Sequence, residues 1–363
     1  MTLVSARSVV RFLVRFLLVA GALGIAVPFA RAADGVIEIN QAKVTAAGGF
    51  PYTINASGSY KLTSNLTQAS SNPTTFIVIL ADNVTLDLNG FSITGGNTCT
   101  VSGSFPNRTI SCTTEGGGSG VSSPNRGISV FNGNISGTGG ACLNLGGGDN
   151  RVERVFATHC GGFGIAVGGG HVSGVSVSYC KSSGVNIPTG VVDQATVKYA
   201  GGIGVLATRA HRVTAEDSLG GFGINAYQVD QSLASFTQGV GVQGNLVGDS
   251  RSNNNSGDGI NLSNGVTRNS FATGNGGAGI YASSQATVIG NTATGNAGSG
   301  IHFANSGTAI GNTSYANNGY GIRCASGFAA ASQNFLGANT LGDTGVGVVS
   351  VPANSNVCFP FPC

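Results

Sequence analysis

The sequence is poor in charged residues, methionine and closely spaced cysteine pairs. Charged residues make up only 9% of the 363 residues, the single methionine is the first residue, and no Cys-x-x-Cys pair occurs. Four-cysteine zinc sites need such pairs, and soft copper sites use methionine, so we predict no metal site and no cofactor. The 41% of hydrophobic residues still suffices for a core, which argues against a disordered chain.

Proline is also scarce, with nine residues, whereas glycine reaches 61. No Gly-X-Y period accompanies the glycine, which excludes a collagen-like chain. So much glycine indicates many tight turns between short strands.

The first 32 residues predict an export signal. An apolar stretch at residues 16–30 precedes an Ala-Arg-Ala cleavage site, and its positive flank consists of Arg7, Arg11 and Arg15. We expect the mature chain to begin at Ala33 and to be secreted or periplasmic. An uncleaved anchor is the alternative, but the apolar run is short for a bilayer span, so we predict no membrane span after signal removal. Removing the four arginines of this segment lowers the formal charge from +3 to −1, which argues against nucleic acid as a partner.

A repeat of about 20 residues dominates the rest of the chain. A glycine followed by Ile or Val recurs at spacings of 18 to 21 residues from Gly164 onward, at Gly164, Gly184, Gly204, Gly223, Gly241, Gly259, Gly279, Gly300 and Gly321. The intervening segments alternate Val, Ile and Thr with small residues, which is typical of strands. The Leu-x-x-Leu-x-Leu frame of a leucine-rich horseshoe is missing. Each repeat therefore predicts one coil of a solenoid.

One register position of this repeat is occupied by asparagine in four successive coils. It lies five residues before the Ile or Val, at Asn255, Asn275, Asn296 and Asn317. Coils stacked about 4.8 Å apart would let each side-chain amide donate to the next, forming a structural ladder. A second set, at Asn269, Asn291 and Asn312, has nearly the same offset.

The extent of the repeat predicts the domain boundaries. Residues 75–350 form the solenoid, interrupted by an insertion loop at about 97–125, and residues 351–363 form a C-terminal tail. Residues 33–74 hold the first strands and a cap, because an open solenoid end exposes apolar core. Within this region residues 35–47 form a short helix or a strand.

Eight cysteines in an exported chain indicate disulfides. Cys99 and Cys112 bracket part of the inserted segment, and Cys358 and Cys363 lie in the tail, so we predict one bridge in each cluster. Cys160 and Cys180 share a register position. They form either a bridge between coils or, as the parallel side-chain directions favour, a buried thiol pair.

The chain resembles the pectin-lyase-like proteins with a right-handed parallel β-helix, especially the secreted bacterial right-handed β-helix repeat proteins. The resemblance covers most of the mature chain and depends on three motifs, Gly-Ser-Tyr-Lys-Leu-Thr at 58–63, Ala-Asp-Asn-Val-Thr-Leu-Asp-Leu-Asn-Gly at 81–90 and Gly-Asn-Thr-Ala-Thr-Gly-Asn at 290–296. It implies an all-β, single-stranded solenoid. It does not imply one activity, since relatives include pectate lyases, polygalacturonases, alginate epimerases, tailspikes and adhesins.

The catalytic strings of those relatives are missing. The chain has no Asp-Asp, Asn-Thr-Asp, Arg-Ile-Lys or Asp-Pro-His element. A lyase needs a group that neutralises a carboxylate and a proton acceptor. The weak candidates for such roles are Lys181, Lys198, His211 and Arg212.

The richest polar neighbourhood spans residues 151–230 and holds His159, His171, Tyr179, Lys181, Asp193, Lys198, Tyr199, Arg209, His211, Glu216 and Asp217. His159, Tyr179 and Tyr199 share one position on consecutive coils. They are either packing residues at the edge of the core or a stacked surface that binds sugar rings. The adjacent Glu216 and Asp217 are expected to be solvated surface.

Two functions follow as hypotheses. The favoured one is a non-catalytic scaffold that binds a polysaccharide or cell-surface glycan. The alternative is a polysaccharide lyase or epimerase acting on an acidic polysaccharide.

Overall fold

The computed structural model describes residues 35–70, 74–351 and 355–359. The predicted signal segment at residues 1–32 and Cys363 lie outside these ranges. In the described residues nearly every strand pairs in parallel with the strand one coil later, as Ile260 does with Ile280 and Ile280 with Ile301. The predicted all-β parallel β-helix is confirmed.

The strands are short. Those of the N-terminal coils are Ile37–Ile39, Tyr52–Ile54, Gly58–Leu62, Leu66–Thr67, Ile77–Ile79, Val84–Asp87, Ser92–Thr94, Cys99–Ser102, Thr109–Cys112, Val121–Ser123, Ser129–Ser136 and Leu143–Leu145. Those of the middle coils are Asn150–Cys160, Ile165–Val167, Gly169–Ser173, Ser176–Cys180, Val185–Asp193, Thr196–Ala200, Val205–His211, Thr214–Glu216, Phe222–Asp230, Leu233–Ser235 and Val240–Gly248. Those of the last coils are Arg251–Asn253, Ile260–Arg268, Phe271–Thr273, Ile280–Ala282, Ala286–Ile289, Thr292–Thr294, Ile301–Phe303, Gly307–Ile310, Thr313–Tyr315, Ile322–Cys324, Ala329–Ser332, Phe335–Gly337, Val348–Ser350 and Val357–Phe359.

Each coil has three faces, which follow one another along the chain. Face 1 starts after the repeating glycine and includes residues 260–262 and 280–282. Face 2 includes residues 266–268 and 287–289, and face 3 includes residues 271–273 and 292–294. Alternate residues of each strand point inward, so Ile260, Ile280 and Ile301 are fully buried one above another.

The predicted asparagine ladder is confirmed and extends one coil further. Each Nδ2 donates to the next Oδ1 at 2.9 Å, from Asn255 through Asn275, Asn296 and Asn317 to Asn339. The same Oδ1 atoms also accept from the backbone N–H of the preceding asparagine, as between Asn255 and Asn275 at 3.1 Å. Each bond contributes about 1 kcal/mol net.

The second set of asparagines also forms a ladder, which lacks Asn269 and has two further members. It runs through Asn291, Asn312, Asn334 and Asn356, with Nδ2 to Oδ1 distances of 2.8 to 3.1 Å. The prediction for Asn269 was wrong, because Asn269 occupies a left-handed turn with φ 49°. Ser270 holds the ladder position instead, and its N–H donates to Asn291 Oδ1 at 2.9 Å.

The first described coil contains both elements considered for residues 35–47. Strand Ile37–Ile39 leads into a single helix, α1, at Gln41–Ala46. Asn40 caps α1, since its side chain accepts from the N–H of Lys43 at 2.8 Å. Val44 of α1 is fully buried in the core.

The disulfides confirm one predicted pair and correct another expectation. Cys99 and Cys112 are bonded as predicted, and Cys358 is disulfide-bonded, although its predicted partner Cys363 lies outside the described residues. Cys160 is bonded to Cys142, at a Cα separation of 5.4 Å. The expected buried thiol pair of Cys160 and Cys180 is therefore wrong. Cys180 is left as a free buried thiol, and burial raises its pKa to about 12.

The insertion folds as an antiparallel hairpin, Cys99–Ser102 paired with Thr109–Cys112, and lies along the solenoid next to face 3. Its contacts reach from His159, whose Nδ1 accepts from the N–H of Cys99 at 3.0 Å, to Gln238, whose Nε2 donates to the Arg108 carbonyl at 2.7 Å. The hairpin therefore bridges several coils.

Candidate functional site

Face 2 aligns ionisable side chains on successive coils. The register pairs Asp193 with His211, His211 with Asp230, Asp230 with Gly248, and Gly248 with Arg268. The residues just before them in the first four coils, Val192, Ala210, Val229 and Val247, are buried. Strand alternation therefore turns the aligned side chains outward. We call Asp193, His211, Arg212, Asp230 and Arg268 the face 2 cluster.

Asp193 is held by two side chains of the next coil. Its Oδ1 lies 2.8 Å from His211 Nδ1, and its Oδ2 lies 3.0 Å from Arg212 Nη2. Arg212 follows His211 in sequence but has a φ of 52°, and this left-handed turn accompanies the return of its guanidinium toward Asp193. Burial alone would raise the pKa of Asp193, but the hydrogen bonds from His211 and Arg212 outweigh it and lower that pKa.

The contact with Asp193 orients the His211 ring. A carboxylate at 2.8 Å favours the proton on Nδ1, although Arg212 Nε also approaches this atom at 3.2 Å. In the tautomer that donates Nδ1–H to Asp193, Nε2 is the unprotonated nitrogen, and it lies 3.9 Å from Asp230 Oδ2.

A cavity opens beside Asp230, where the next coil has glycine. A Cβ atom at Gly248 would lie 2.9 Å from Asp230 Oδ1 and 3.5 Å from Arg268 Nε. Glycine therefore leaves the space between the two side chains open. The cavity has a volume of about 240 Å³ and is lined by residues including Gln228, Asp230, Leu246, Gly248, Val266 and Arg268.

The structure separates the four sequence candidates into two groups. His211 and Arg212 lie in the face 2 cluster, whereas Lys181 and Lys198 lie beside the hairpin and on face 3. Lys181 Nζ is 2.8 Å from Glu115 Oε1 and donates to the Ile110 carbonyl at 3.1 Å. Lys198 Nζ is 3.6 Å from Glu216 Oε2 and 5.1 Å from the centre of the Tyr199 ring.

His159, Tyr179 and Tyr199 form a continuous stack. Ring centroids are 5.2 Å apart for the first pair and 5.0 Å for the second. All three residues have a φ between 52° and 55°, a left-handed conformation that costs about 1 to 2 kcal/mol for a residue with a Cβ. The rings are half-buried, and the hairpin contacts His159 through Cys99. The stack thus packs against the hairpin on one side.

The expectation for Asp217 was wrong. Asp217 is buried and forms an ion pair with Arg108 at the tip of the hairpin. Burial raises its pKa, although the charge of Arg108 opposes this. The φ of 51° accounts for the difference, because a left-handed residue does not follow the alternation of a strand. In the next coil Phe236 contacts Phe105 of the insertion, with ring centroids 5.8 Å apart.

The described residues contain neither a metal-binding cluster nor a membrane-spanning helix. Across residues 35–70, 74–351 and 355–359, no group of three or more His, Cys, Asp or Glu side chains is arranged to hold a metal ion. In the same ranges no helix has the length and apolar character needed to cross a bilayer.

Sequence reasoning missed Gly248 and Arg268. The available signal was the repeat itself, since 18 residues separate Asp230 from Gly248 and 20 separate Gly248 from Arg268. Gly248 has no side chain and interrupts the column of polar residues, which conceals Arg268 in the sequence.

No family model matches the chain, and no curated protein matches it. Among solved structures it is similar to the catalytic unit of an α-1,3-glucanase from Streptomyces thermodiastaticus, with 12% identity, a TM-score of 0.47, and coverage of 90% of this chain and 67% of that one. It is also similar to the A-module of a mannuronan C-5 epimerase from Azotobacter vinelandii, with 13% identity, a TM-score of 0.37 and coverages of 88% and 94%. A tailspike receptor-binding domain of siphovirus 9NA matches with 10% identity, a TM-score of 0.37 and coverages of 91% and 75%. The parallel β-helix is established by the register between the chain's own coils and not by these distant similarities. It is consistent with the pectin-lyase-like architecture that the sequence motifs resemble.

Proposed function

We propose that this protein binds an acidic polysaccharide at the face 2 cluster and abstracts a proton next to a sugar carboxylate there. One observation carries the proposal: His211 is oriented by Asp193 on the same face on which Arg268 borders an open cavity. A positioned base and a cation for the carboxylate are the two groups that lyases and epimerases of acidic sugars need.

The chemistry assigns a role to each side chain. Arg212, which follows His211 in sequence, stabilises the charge that develops on the sugar carboxylate when His211 Nε2 takes the proton from the adjacent carbon. Arg268, three coils away, binds the carboxylate of another sugar of the same polysaccharide. In a lyase reaction the electron pair of the broken C–H bond forms a double bond, and the bond to the leaving sugar oxygen breaks, with that oxygen taking up a proton from water. In an epimerase reaction water gives the same carbon a proton on its opposite side. In both reactions His211 releases the abstracted proton to the solvent. Asp193 holds the ring of His211 and is a positioning residue.

Turnover assays test this directly. The mature protein is incubated separately with polygalacturonate, alginate and hyaluronan, and the ultraviolet absorbance of an unsaturated product is recorded. Solvent deuterium incorporation, measured by NMR, detects epimerisation. We expect one substrate to react, and we expect His211→Ala to lower the rate by about 100-fold or more, the usual contribution of a general base.

Arg251→Ala is the matched control, because Arg251 is an exposed cation of the same solenoid that lies on face 3. Its rate should equal that of the wild type. If no substrate reacts while one still binds, the proton abstraction is refuted and a non-catalytic binding protein remains.

A non-catalytic scaffold is the second candidate, and the stack of His159, Tyr179 and Tyr199 favours it. Ring faces spaced by one coil suit successive sugar rings, and Lys198 adjoins the last ring. If the stack binds glycans, Tyr179→Ala and Tyr199→Ala should each weaken the binding of the protein to a glycan array. Unchanged binding would leave the stack with its packing role alone.

Export to the periplasm or medium belongs to the same proposal, since such polysaccharides lie outside the cytoplasm. It is supported by the arginine-flanked apolar segment before Ala33. Mass spectrometry of the protein recovered from the periplasm or medium should give an N-terminus at Ala33. An intact N-terminus on cytoplasmic protein would contradict it.

A further inference from the structure

We propose that face 1 carries a second glycan-binding site, distinct from the face 2 cluster. It is a straight row of outward side chains, which we call the face 1 row, formed by Asn225, Gln243, Asn261, Tyr281, His302 and Arg323. The inference rests on the proposed polysaccharide partner but not on the chemistry proposed for His211.

The register places these side chains directly above one another. Each pairs with the next across one coil, from Asn225 with Gln243 to His302 with Arg323. The residues on either side of Asn261, Tyr281 and His302 are buried, so the three side chains point outward. Five steps of about 4.8 Å give a row about 24 Å long, the length of a short oligosaccharide.

The row differs from the two buried ladders in its hydrogen bonding. In the ladders each side-chain amide donates a hydrogen bond to the asparagine of the next coil. In the row, by contrast, no side chain forms a hydrogen bond within the described part of the chain. Two of its atoms, Gln243 Oε1 and His302 Nε2, are shielded from solvent and have no hydrogen-bond partner. Buried polar atoms normally have one, so both side chains keep an unused hydrogen-bonding capacity, which a ligand meets once they rotate outward.

The C-terminal half of the row combines rings and charge. Tyr281 and His302 meet edge to face, with centroids 5.2 Å apart and an interplanar angle of 90°. Burial and the charge of Arg323 lower the pKa of His302, against the opposing charge of Asp258. His302 is therefore uncharged at neutral pH, and exposed Arg323 supplies the cation at this end.

This chemistry fits a glycan better than other polymers. Amide, imidazole and phenol groups give and accept hydrogen bonds with sugar hydroxyls, and Arg323 pairs with an acidic substituent. A peptide that adds as a strand needs an open sheet edge, but the backbone of these coils is already paired with the coils on both sides. A nucleic acid needs many cations for its phosphates, and the row has one.

Affinity electrophoresis of the mature protein in gels that contain polygalacturonate, alginate or hyaluronan tests the row. We expect at least one of these glycans to retard the wild type, and Tyr281→Ala and His302→Ala to weaken its apparent affinity by about tenfold. Arg323→Gln, a substitution at an exposed residue, should weaken it as well. Thr292→Ala is the matched control, because Thr292 lies on face 3 of the same coil as Tyr281 and should leave the affinity unchanged.

Thermal melting shows which variants are folded, and only those are compared. Folded variants of Tyr281, His302 and Arg323 that all keep wild-type affinity would overturn the inference, as would a wild type that none of the three glycans retards. Retardation lost in His211→Ala but kept in all row variants would support the face 2 cluster and overturn the face 1 row. The reverse pattern would support the row even if no substrate turns over.

Discussion

At the scale of single residues, buried asparagine amides satisfy one another's hydrogen-bonding groups in continuous rows. Asn317 shows this most fully, because its Oδ1 accepts from both the N–H and the Nδ2 of Asn296, while its own Nδ2 donates to Asn339 Oδ1. Its loss would leave two donors of Asn296 without their acceptor in a fully buried place. An unsatisfied buried group costs about 1 to 3 kcal/mol.

Asn317→Ala should therefore lower the free energy of unfolding by about 2 to 4 kcal/mol. The neighbouring substitution Asn318→Ala is the control, since Asn318 is exposed and uses only its backbone N–H, which donates to the Asn296 carbonyl. Urea denaturation followed by circular dichroism measures both. Similar midpoints for the two variants would contradict a stabilising role of the ladder.

Asp193 gives a prediction of pH dependence at the same scale. Its pKa in the folded protein is lowered below the ordinary 3.8, so its contribution to stability is fully present above pH 3.8 and is lost as the pH falls through the lower folded value. The stability difference between wild type and Asp193→Asn should thus decrease as the pH falls below about 5 and disappear in stronger acid. Melting temperatures of both proteins between about pH 2 and 5 measure it. A difference that grew on acidification would have the wrong sign.

At the scale of elements, the hairpin Cys99–Ser102 with Thr109–Cys112 is fixed to the solenoid at both ends. Its base is closed by the Cys99–Cys112 disulfide, and its tip is held by the ion pair of Arg108 with buried Asp217. Removing one partner of a buried pair leaves an uncompensated charge, whereas removing both costs less.

Arg108→Ala should destabilise the protein by about 2 to 3 kcal/mol, more than the Arg108→Ala, Asp217→Ala double variant does. A double-mutant cycle from denaturation curves measures this difference. Hydrogen exchange should also quicken at residues 99–112 in the single variant. Additive effects in the cycle would show that the pair is not coupled.

At the scale of the whole molecule, the repeating glycine decides how closely neighbouring coils stack. A Cβ at Gly279 would lie 2.6 Å from Asn296 Nδ2 and 2.8 Å from the Gly300 carbonyl, both in the next coil. Because each coil contacts mainly its two neighbours, a disturbance at one glycine reaches the stack on both sides.

Gly279→Ala should therefore lower the melting temperature by several degrees, corresponding to about 2 kcal/mol or more. Gly221→Ala is the matched control, because nothing lies within 4 Å of its Cβ position and its φ is not left-handed. Differential scanning calorimetry compares the two. Equal melting temperatures would mean that the coils can separate enough to admit a methyl group.

The sequence by itself determined the repeat, and with it much of the fold. A spacing of about 20 residues, short alternating strands and the asparagines from Asn255 to Asn317 predicted the solenoid and its ladder, because stacked coils place equivalent residues above one another. The Cys99–Cys112 disulfide followed from the two cysteines that bracket part of the inserted segment. His211 and Arg212 were found as polar residues but without their partners.

Only the tertiary structure decided which side chains meet. The left-handed residues Arg212, Asp217 and Asn269 break the inward and outward alternation of the strands. Alternation along the sequence therefore did not predict the contact of Arg212 with Asp193 or that of Asp217 with Arg108. It also did not predict that Ser270 belongs to the second ladder. The Cys142–Cys160 disulfide joins two residues across a turn between faces, and the register of the repeat alone does not predict this contact. The period of the chain fixes which residues stack, but the local backbone angle at each turn fixes where their side chains point.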